Sequence, residues 1–343
     1  MLSVNSKEEA LSKMAAGASH SAVCKISFPW KQLSSSKAKD ISQMIRVGTN
    51  PIQVNLVGND LADEGTEIVA ESLEENDKVD ELNISCNRIS VKGATALSKF
   101  VRTSRTIREL SLFGNKIRDG GAIAIATSLR YNTSLQVLNL SYNHISCEGA
   151  IALAKGIYAH RSLVRVDLSG NSIGDEGASA LATACTLLDD LTLSRNHVGD
   201  LGAMAFASVL SREGCRLQHL RLAGNDVGPT GARALSLSLK CNKTLLTLDL
   251  RFSELLYSTA REGFLEVMHG NTTLTSCQLV QSMSHRLQSE LNYFANLNKA
   301  GRQIARSRVD LLALVLGRVN DDPTLMYGLL SESPHVWAAL ENN

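Results

Sequence analysis

The sequence predicts an α/β solenoid, a horseshoe of stacked coils with parallel strands inside, helices outside and a helical C-terminal cap. Three observations predict it. A block of twelve residues recurs seven times, an Asn and a Gly keep one spacing within every block, and a period of two gives way to a helical period inside each coil. The blocks read VNLVGNDLADEG from Val54, LNISCNRISVKG from Leu82, LSLFGNKIRDGG from Leu110 and LNLSYNHISCEG from Leu138, then VDLSGNSIGDEG from Val166, LTLSRNHVGDLG from Leu191 and LRLAGNDVGPTG from Leu220. Their asparagines are Asn59, Asn87, Asn115, Asn143, Asn171, Asn196 and Asn225, so subtraction gives intervals of 28, 28, 28, 28, 25 and 29 residues. Six residues after each lies a glycine: Gly65, Gly93, Gly121, Gly149, Gly177, Gly202 and Gly231.

Each column has a physical role. Leucines two apart, such as Leu110 and Leu112, point inward while Ser111 and Phe113 point to solvent, the alternation of a short strand. At the Asn the chain leaves the strand and frees buried N–H and C=O groups, which an amide satisfies by both donating and accepting. The glycine permits close backbone approach at the helix start. Asp63, Asp119, Asp175 and Asp200 fall where helix caps or first-turn acids belong. Beyond the glycine, apolar pairs four apart (Val69/Leu73, Leu97/Val101, Ile125/Leu129, Leu153/Ile157) make one helix face. A third column, Val79, Ile107, Leu135, Leu163 and Leu245, closes each coil before the next strand.

This LxLxxNxL…G pattern at about 28 residues resembles the ribonuclease-inhibitor-like subtype of leucine-rich repeat, the subtype found in NOD-like receptors and Ran GTPase-activating proteins. The resemblance covers residues 54–276, about eight repeats, and implies a protein-binding scaffold. Residues 26–53 read as a degenerate N-terminal cap repeat with Trp30 covering the end, preceded by a helical extension over 1–25 whose helix is Lys7 to Ala16. Residues 277–343 leave the repeat and read as a helical C-terminal cap: Arg286 to Ser307, Val309 to Val319, Pro323 to Ser331 and Pro334 to Leu340. The fifth repeat, 25 residues long, has lost a polar turn near Thr186 to Asp190.

Composition excludes several classes. Among 343 residues, Lys+Arg 35 against Asp+Glu 34 gives a net charge of +1, which argues against nucleic acid or an anionic membrane as partner. No run reaches the ~18 apolar residues of a spanning helix. The seven cysteines are scattered without a CxxC, so they read as reduced, buried thiols of a cytoplasmic or nuclear protein. Sequons such as Asn83-Ile-Ser85 and Asn271-Thr-Thr273 then carry no meaning for glycosylation. Walker A, HExxH, GxSxG and GxGxxG motifs are missing. His144 and His197 share a column but stand two coils, about 10 Å, apart, too far to share one zinc. Neither enzyme chemistry, cofactor nor metal is expected.

Recognition is expected on the concave face. Most of its side chains are small and polar, and the candidates that stand out are Phe113, Tyr142, Asp167, Arg195, Arg221 and Arg251. An aromatic patch beside a basic one suits an acidic, partly apolar segment of a protein partner, bound by a monomer. The alternative implied by the resemblance is a GTPase-activating or GTPase-binding regulator contacting a small GTPase through Arg195 and Arg221, although the acidic C-terminal run of that family is replaced by WAALENN. Two basic clusters, Lys99/Arg102/Arg105/Arg108 and Lys299/Arg302/Arg306/Arg308, read as solvated helix faces.

Overall fold

The computed structural model describes residues 2–4, 24–48, 52–253, 258–279 and 285–301, together with 322, 324–325 and 328. These residues fall into two compact units, 1–198 and 199–343. In the first unit eight strands alternate with six helices. The strands are β1 (Leu2–Val4), β2 (Cys24–Ser27), β3 (Ile52–Asn55), β4 (Val79–Asn83), β5 (Glu109–Ser111), β6 (Val137–Asn139), β7 (Arg165–Asp167) and β8 (Asp190–Thr192). The helices are α1 (Ser35–Val47), α2 (Ala62–Glu74), α3 (Val91–Thr103), α4 (Arg118–Leu129), α5 (Cys147–Ala159) and α6 (Gly174–Ala184). Every strand pairs in parallel with its sequence neighbour, Leu82 opposite Leu110, Leu110 opposite Leu138 and Leu138 opposite Val166. The second unit comprises α7 (Asp200–Leu210), β9 (His219–Arg221), α8 (Pro229–Ser238), β10 (Thr247–Asp249), α9 (Ser258–Gly270), β11 (Ser276–Gln278) and α10 (His285–Ala300), with β9, β10 and β11 parallel and in order.

Strands of three residues survive because each inward leucine is buried between its neighbours and the helix behind it. Leu82, Ile84, Leu110, Leu112, Leu138, Leu140, Val166 and Leu168 are all buried, as are Leu97, Val101, Ile125, Leu129, Leu153 and Ile157 of the helices. Helix packs on successive helix, from α1 on α2 to α5 on α6. Each coil thus supplies one slab of core and completes the slab before it.

The asparagine column is buried and cross-links the coils. Asn115 donates through Nδ2 to the carbonyls of Ile84 and Leu112 at 3.2 and 2.9 Å, while its Oδ1 accepts from the N–H groups of Asn87 and Ile89 at 2.9 and 3.0 Å. Asn59 and Asn171 repeat this arrangement. One side chain satisfies groups from two coils that no ladder could reach.

Asp63, Asp119, Asp175 and Asp200 stand in the first turns of their helices, as expected, and three of them also serve the next helix. Asp63, in the first turn of α2, accepts from Ser90 N–H (2.8 Å), Ser90 hydroxyl (2.5 Å) and Gly93 N–H (2.9 Å), so it caps α3 in the next coil rather than its own helix. Asp119 serves α5 in the same way through Ser146 and Gly149, and Asp200 serves α8 through Gly228 and Gly231. The adjoining helices stand side by side, which brings a carboxylate of one to the orphan donors of its neighbour.

At the N-terminal end, β2 and α1 supply a coil with Ile26, Ile41 and Ile45 buried. Residues 2–4 are a strand paired to β2 where a helical extension was expected, and Lys7 to Ala16 lie outside the described residues. Trp30 does not cover the end of the stack. It is 69% exposed, because its left-handed backbone (φ 55°) turns the ring onto Gly58 of the following coil. The short fifth repeat closes with a 3-10 turn over Cys185–Leu187, after which Asp189 and Asp190 bond to the Val164 carbonyl. In the second unit α10 packs on α9 and β11, with Leu291, Ala295 and Leu297 buried. The expected helices 309–319 and 334–340 lie outside the described residues, and of 323–331 only Thr324, Leu325 and Gly328 are described, as helical.

Candidate functional site

The inner strand face of the first unit is built from two kinds of position. On the strands themselves the outward residues form columns, Gln53, Glu81 and Glu109 in one and Asn55, Asn83, Ser111, Asn139 and Asp167 in the next. The polar column is largely self-satisfied. Asn83 and Asn139 accept from the N–H groups of Ser85 and Ser141, the Ser85 and Ser111 hydroxyls bond at 2.9 Å, and Asp167 Oδ1 accepts from the N–H and hydroxyl of Ser169 at 2.9 and 2.6 Å. Asp167 is thereby a turn-former before it is a ligand for anything else.

The acidic column was not singled out in the sequence. Glu81 and Glu109 stand directly opposite one another on β4 and β5, an unfavourable like-charge pair. Partial burial pushes the Glu81 carboxyl up, Glu109 and Asp80 push it further, and Lys25 with the 2.7 Å hydrogen bond from Gln53 opposes them. Lys25, Gln53, Glu81 and Glu109 line an open recess of about 340 Å³ together with Asn83, Ser111 and Asn139.

The second kind of position lies where each strand gives way to its turn, immediately before the buried Asn. There the backbone is left-handed in coil after coil: Gly58, Cys86, Gly114, Tyr142, Gly170 and Arg195 all have positive φ, as do Trp30, which precedes Lys31 instead of an Asn, and, in the second unit, Gly224 and Phe252, the latter before Ser253. Glycine and side chain alternate without exception. The reason is steric, since Trp30, Cys86 and Tyr142 each lie across the glycine of the next coil: a Cβ on Gly170 would come within 2.6 Å of the Tyr142 ring, and one on Gly114 within 2.9 Å of Cys86 Sγ. Non-glycine residues pay for this conformation, and what they gain is a side chain held over the rim of the inner face.

Three predicted residues meet there. Phe113 and Tyr142 pack edge to face with ring centroids 5.5 Å apart, and Arg195 donates from Nη1 to the Tyr142 hydroxyl at 3.3 Å. Both aromatics remain open to solvent, at 37% and 42% exposure. Arg221 and Arg251 belong to the second unit. There Arg251 is committed to a bidentate pair with Asp249 on its own strand, at 2.8 and 3.0 Å, which leaves it poorly placed to receive a partner. His144 and His197 share the left-handed turns just beyond the Asn column, at φ 57° and 56°. Among the described residues no three His, Cys, Asp or Glu converge on a point where a metal could sit, and no helix is long and apolar enough to cross a membrane.

A second buried ladder also escaped the sequence reading. At the helix-to-strand turns, Oδ1 of Asn132 accepts from the N–H groups of Ser134 and Leu135, Asn242 and Asn271 do the same one turn type later, and His160 Nδ1 takes the same two bonds from Ser162 and Leu163. The Asn-x-Ser/Thr triplets at Asn132, Asn242 and Asn271 are therefore turn chemistry, their amides buried and engaged. The signal was the recurrence of Asn or His three residues before the closing leucine.

Parallel strands with helices behind them, a buried asparagine column and coils of about 28 residues define a leucine-rich-repeat protein, and the Leucine Rich repeat family model matches residues 75–98, 103–126, 131–154, 159–182, 184–207 and 215–236. Two relatives are similar over short stretches. Protein NLRC3 of Mus musculus is 44% identical over 61 residues, which cover 18% of this chain and 6% of that protein. The NACHT, LRR and PYD domains-containing protein 12 of Homo sapiens is 40% identical over 68 residues, 20% of this chain and 6% of its own length. The chain therefore spans only a small part of the relatives it matches. Among solved structures, Leiomodin-1 Actin-Binding Site 2 aligns with a TM-score of 0.31 at 12% identity, covering 65% of this chain and 97% of that one.

Proposed function

We propose that the chain is a protein-recognition module whose inner strand face in the first unit receives a segment of a protein partner. The observation that carries this reading is the Phe113–Tyr142–Arg195 cluster: two exposed aromatics and an arginine held against one another, Tyr142 and Arg195 on left-handed turns, on a face whose other side chains are small polar groups and one acidic column. Aromatic residues and arginine dominate interface energetics, and side chains already ordered lose little entropy on binding. On the same strand face the Glu81–Glu109 recess offers negative charge, which a cationic group on the same partner would relieve. In this reading the repeats over 54–276, of the ribonuclease-inhibitor-like subtype, are the recognition module, and 26–53 and 277–343 are its caps. Recognition of this kind uses neither catalytic group nor cofactor. Nothing in the cluster or the relatives' names singles out a GTPase as the partner.

A photo-crosslinking residue introduced at Val137, half-buried on the inner face of β6 and lining the recess, tests the proposal in the native cell. Crosslinked proteins are expected to disappear when Phe113→Ala and Tyr142→Ala are combined, and to persist with Ile123→Ala on the helical side. Crosslinks indifferent to the aromatic pair would overturn the assignment of this face.

A further inference from the structure

We propose that the first unit carries a second docking surface, an arginine–tyrosine strip made by Arg102, Arg105, Arg130, Tyr131, Tyr158 and Arg161, which takes a short acidic segment of a protein partner. The strip lies on the edge where helices end and strands begin. Arg102 is in the last turn of α3, Arg130 and Tyr131 follow α4, and Tyr158 and Arg161 lie at the end of α5 and just beyond it.

Hydrogen bonds hold the three turns side by side. Asn132 Nδ2 donates to the carbonyls of Val101 and Ser104 at 2.7 and 3.0 Å, His160 meets Asn132 Oδ1 at 3.3 Å, and the Ser162 hydroxyl donates to the Thr133 carbonyl at 2.7 Å. What faces outward from this frame is one chemistry. The turns 102–108, 130–136 and 158–164 contain five arginines, Arg108 being the fifth, and not one Asp or Glu. None of the five makes an ion pair among the described residues, whereas Arg46, Arg88 and Arg165 of the same unit all do. Both tyrosines are open, Tyr131 at 55% and Tyr158 at 65% exposure. The Arg102 guanidinium lies 4.3 Å from the centroid of the Tyr131 ring, which fixes its plane and leaves its N–H edges free for a carboxylate.

Helix C-termini favour cations, and that accounts for Arg102 and Arg130. It does not account for Arg105 and Arg161 in the turns beyond, nor for two large aromatics left in water. Arginine and tyrosine without lysine is the composition of a contact surface rather than of a solvated edge.

The neighbouring turns define the length of the occupant. On one side stand Glu74, Glu75 and Asp77, on the other Asp189 and Asp190, with Glu75, Asp77 and Asp190 paired to Arg46, Lys78 and Arg165, so the run of arginines without ion pairs covers three coils and gives way on both sides to turns that carry acids. With helices about 10 Å apart, that is roughly 20 Å, the reach of some six extended residues. A nucleic-acid backbone would run on into the acidic turns, while a short acidic peptide would not. Segregation of this kind is hidden in a net charge of +1.

The probe is a fluorescently labelled hexapeptide of alternating Glu and Tyr, measured by anisotropy on the full chain at low and at physiological salt. Arg105→Glu with Arg161→Glu is expected to weaken binding at least tenfold, Tyr131→Ala with Tyr158→Ala to weaken it severalfold, and Phe113→Ala with Tyr142→Ala to leave it unchanged. Because all four strip residues are exposed, the variants should keep the native circular dichroism spectrum, and Arg105→Gln with Arg161→Gln provides a milder pair if the reversal does not. Failure of the native chain to bind the peptide, equal binding by the arginine variants, or tighter binding of a twelve-nucleotide oligo-dT would each overturn the proposal.

Discussion

His160 occupies, one coil on, the place that Asn132 holds, and does the same work with a different atom. Its Nδ1 accepts the N–H groups of Ser162 and Leu163 at 3.3 and 3.1 Å, so the ring proton sits on Nε2, facing Asn132 Oδ1. Protonation would put a hydrogen on Nδ1 and break both turn bonds in a buried site. Burial accordingly pushes the His160 pKa down from its ordinary value. A folded-state pKa below the unfolded one means that the contribution is complete above the unfolded value, near 6.5, and is lost as pH falls toward the folded one. The melting temperature is expected to drop between pH 7 and pH 5, and His160→Asn to flatten that part of the profile, since Asn at Asn132 makes the same bonds without titrating. Calorimetric scans of both proteins across that range decide it; an unchanged slope in the variant would show that another group titrates.

Elements are joined here by carboxylates that reach across coils. The Asp63 carboxyl is pushed up by burial, but bonds from the Ser90 hydroxyl, the Ser90 and Gly93 N–H groups and the charge of Lys92 outweigh this and hold it below the usual carboxylate range. Loss of one cap costs about 0.5–2 kcal/mol. Asp63→Ala leaves α3 with the Ser90 hydroxyl as its side-chain cap and should lower the unfolding free energy from urea titration by that much at pH 7, while the difference from the native chain should vanish as pH falls below the carboxylate range, where the native Asp63 is itself protonated. The strands follow the same inter-coil logic in reverse: Glu81 against Glu109 is a local penalty kept on an open face, the kind of compromise found where a surface is shaped for something other than stability.

For the first unit as a whole, the unit of construction is two coils rather than one. Glycine alternates with Cys86, Tyr142 and Arg195 before the Asn column, and the turn beyond alternates with it: Arg88, His144 and His197 are left-handed one residue after their Asn, whereas Ala62, Arg118 and Gly174 are left-handed three residues after theirs. In a solenoid, stability is the sum of coils and nearest-neighbour interfaces, so register between turn types matters more than length. Excising Asn87 to Tyr142, which is 56 residues, joins Cys86 to Asn143 and hands Asp63 the Ser146 and Gly149 donors in place of Ser90 and Gly93. Excising Asn87 to Gly114, which is 28, sets Cys86 beside Tyr142 with no glycine between and leaves Asp63 facing the wrong turn. The shorter deletion is expected to be the more damaging. Urea denaturation midpoints of the two deletion variants check this, and equal midpoints would dispose of the two-coil unit.

The sequence by itself determined the coil: which residues face inward and where the chain turns. These follow from local chemistry repeated at a fixed interval, as Leu82, Leu110 and Leu138 falling opposite one another shows. The alternation of glycine with larger residues, and the Asn132–His160 ladder, were also written there, but their meaning depends on backbone dihedrals and on carbonyls of other coils. Only the tertiary structure decided which of the candidate residues meet. Phe113, Tyr142 and Arg195 form a cluster, Arg251 is consumed by Asp249, Asp63 caps a helix 27 residues further on, and arginines from three separate turns share one edge. A site of this kind is assembled between coils, and the distances between coils are set by packing rather than by any residue's own preference.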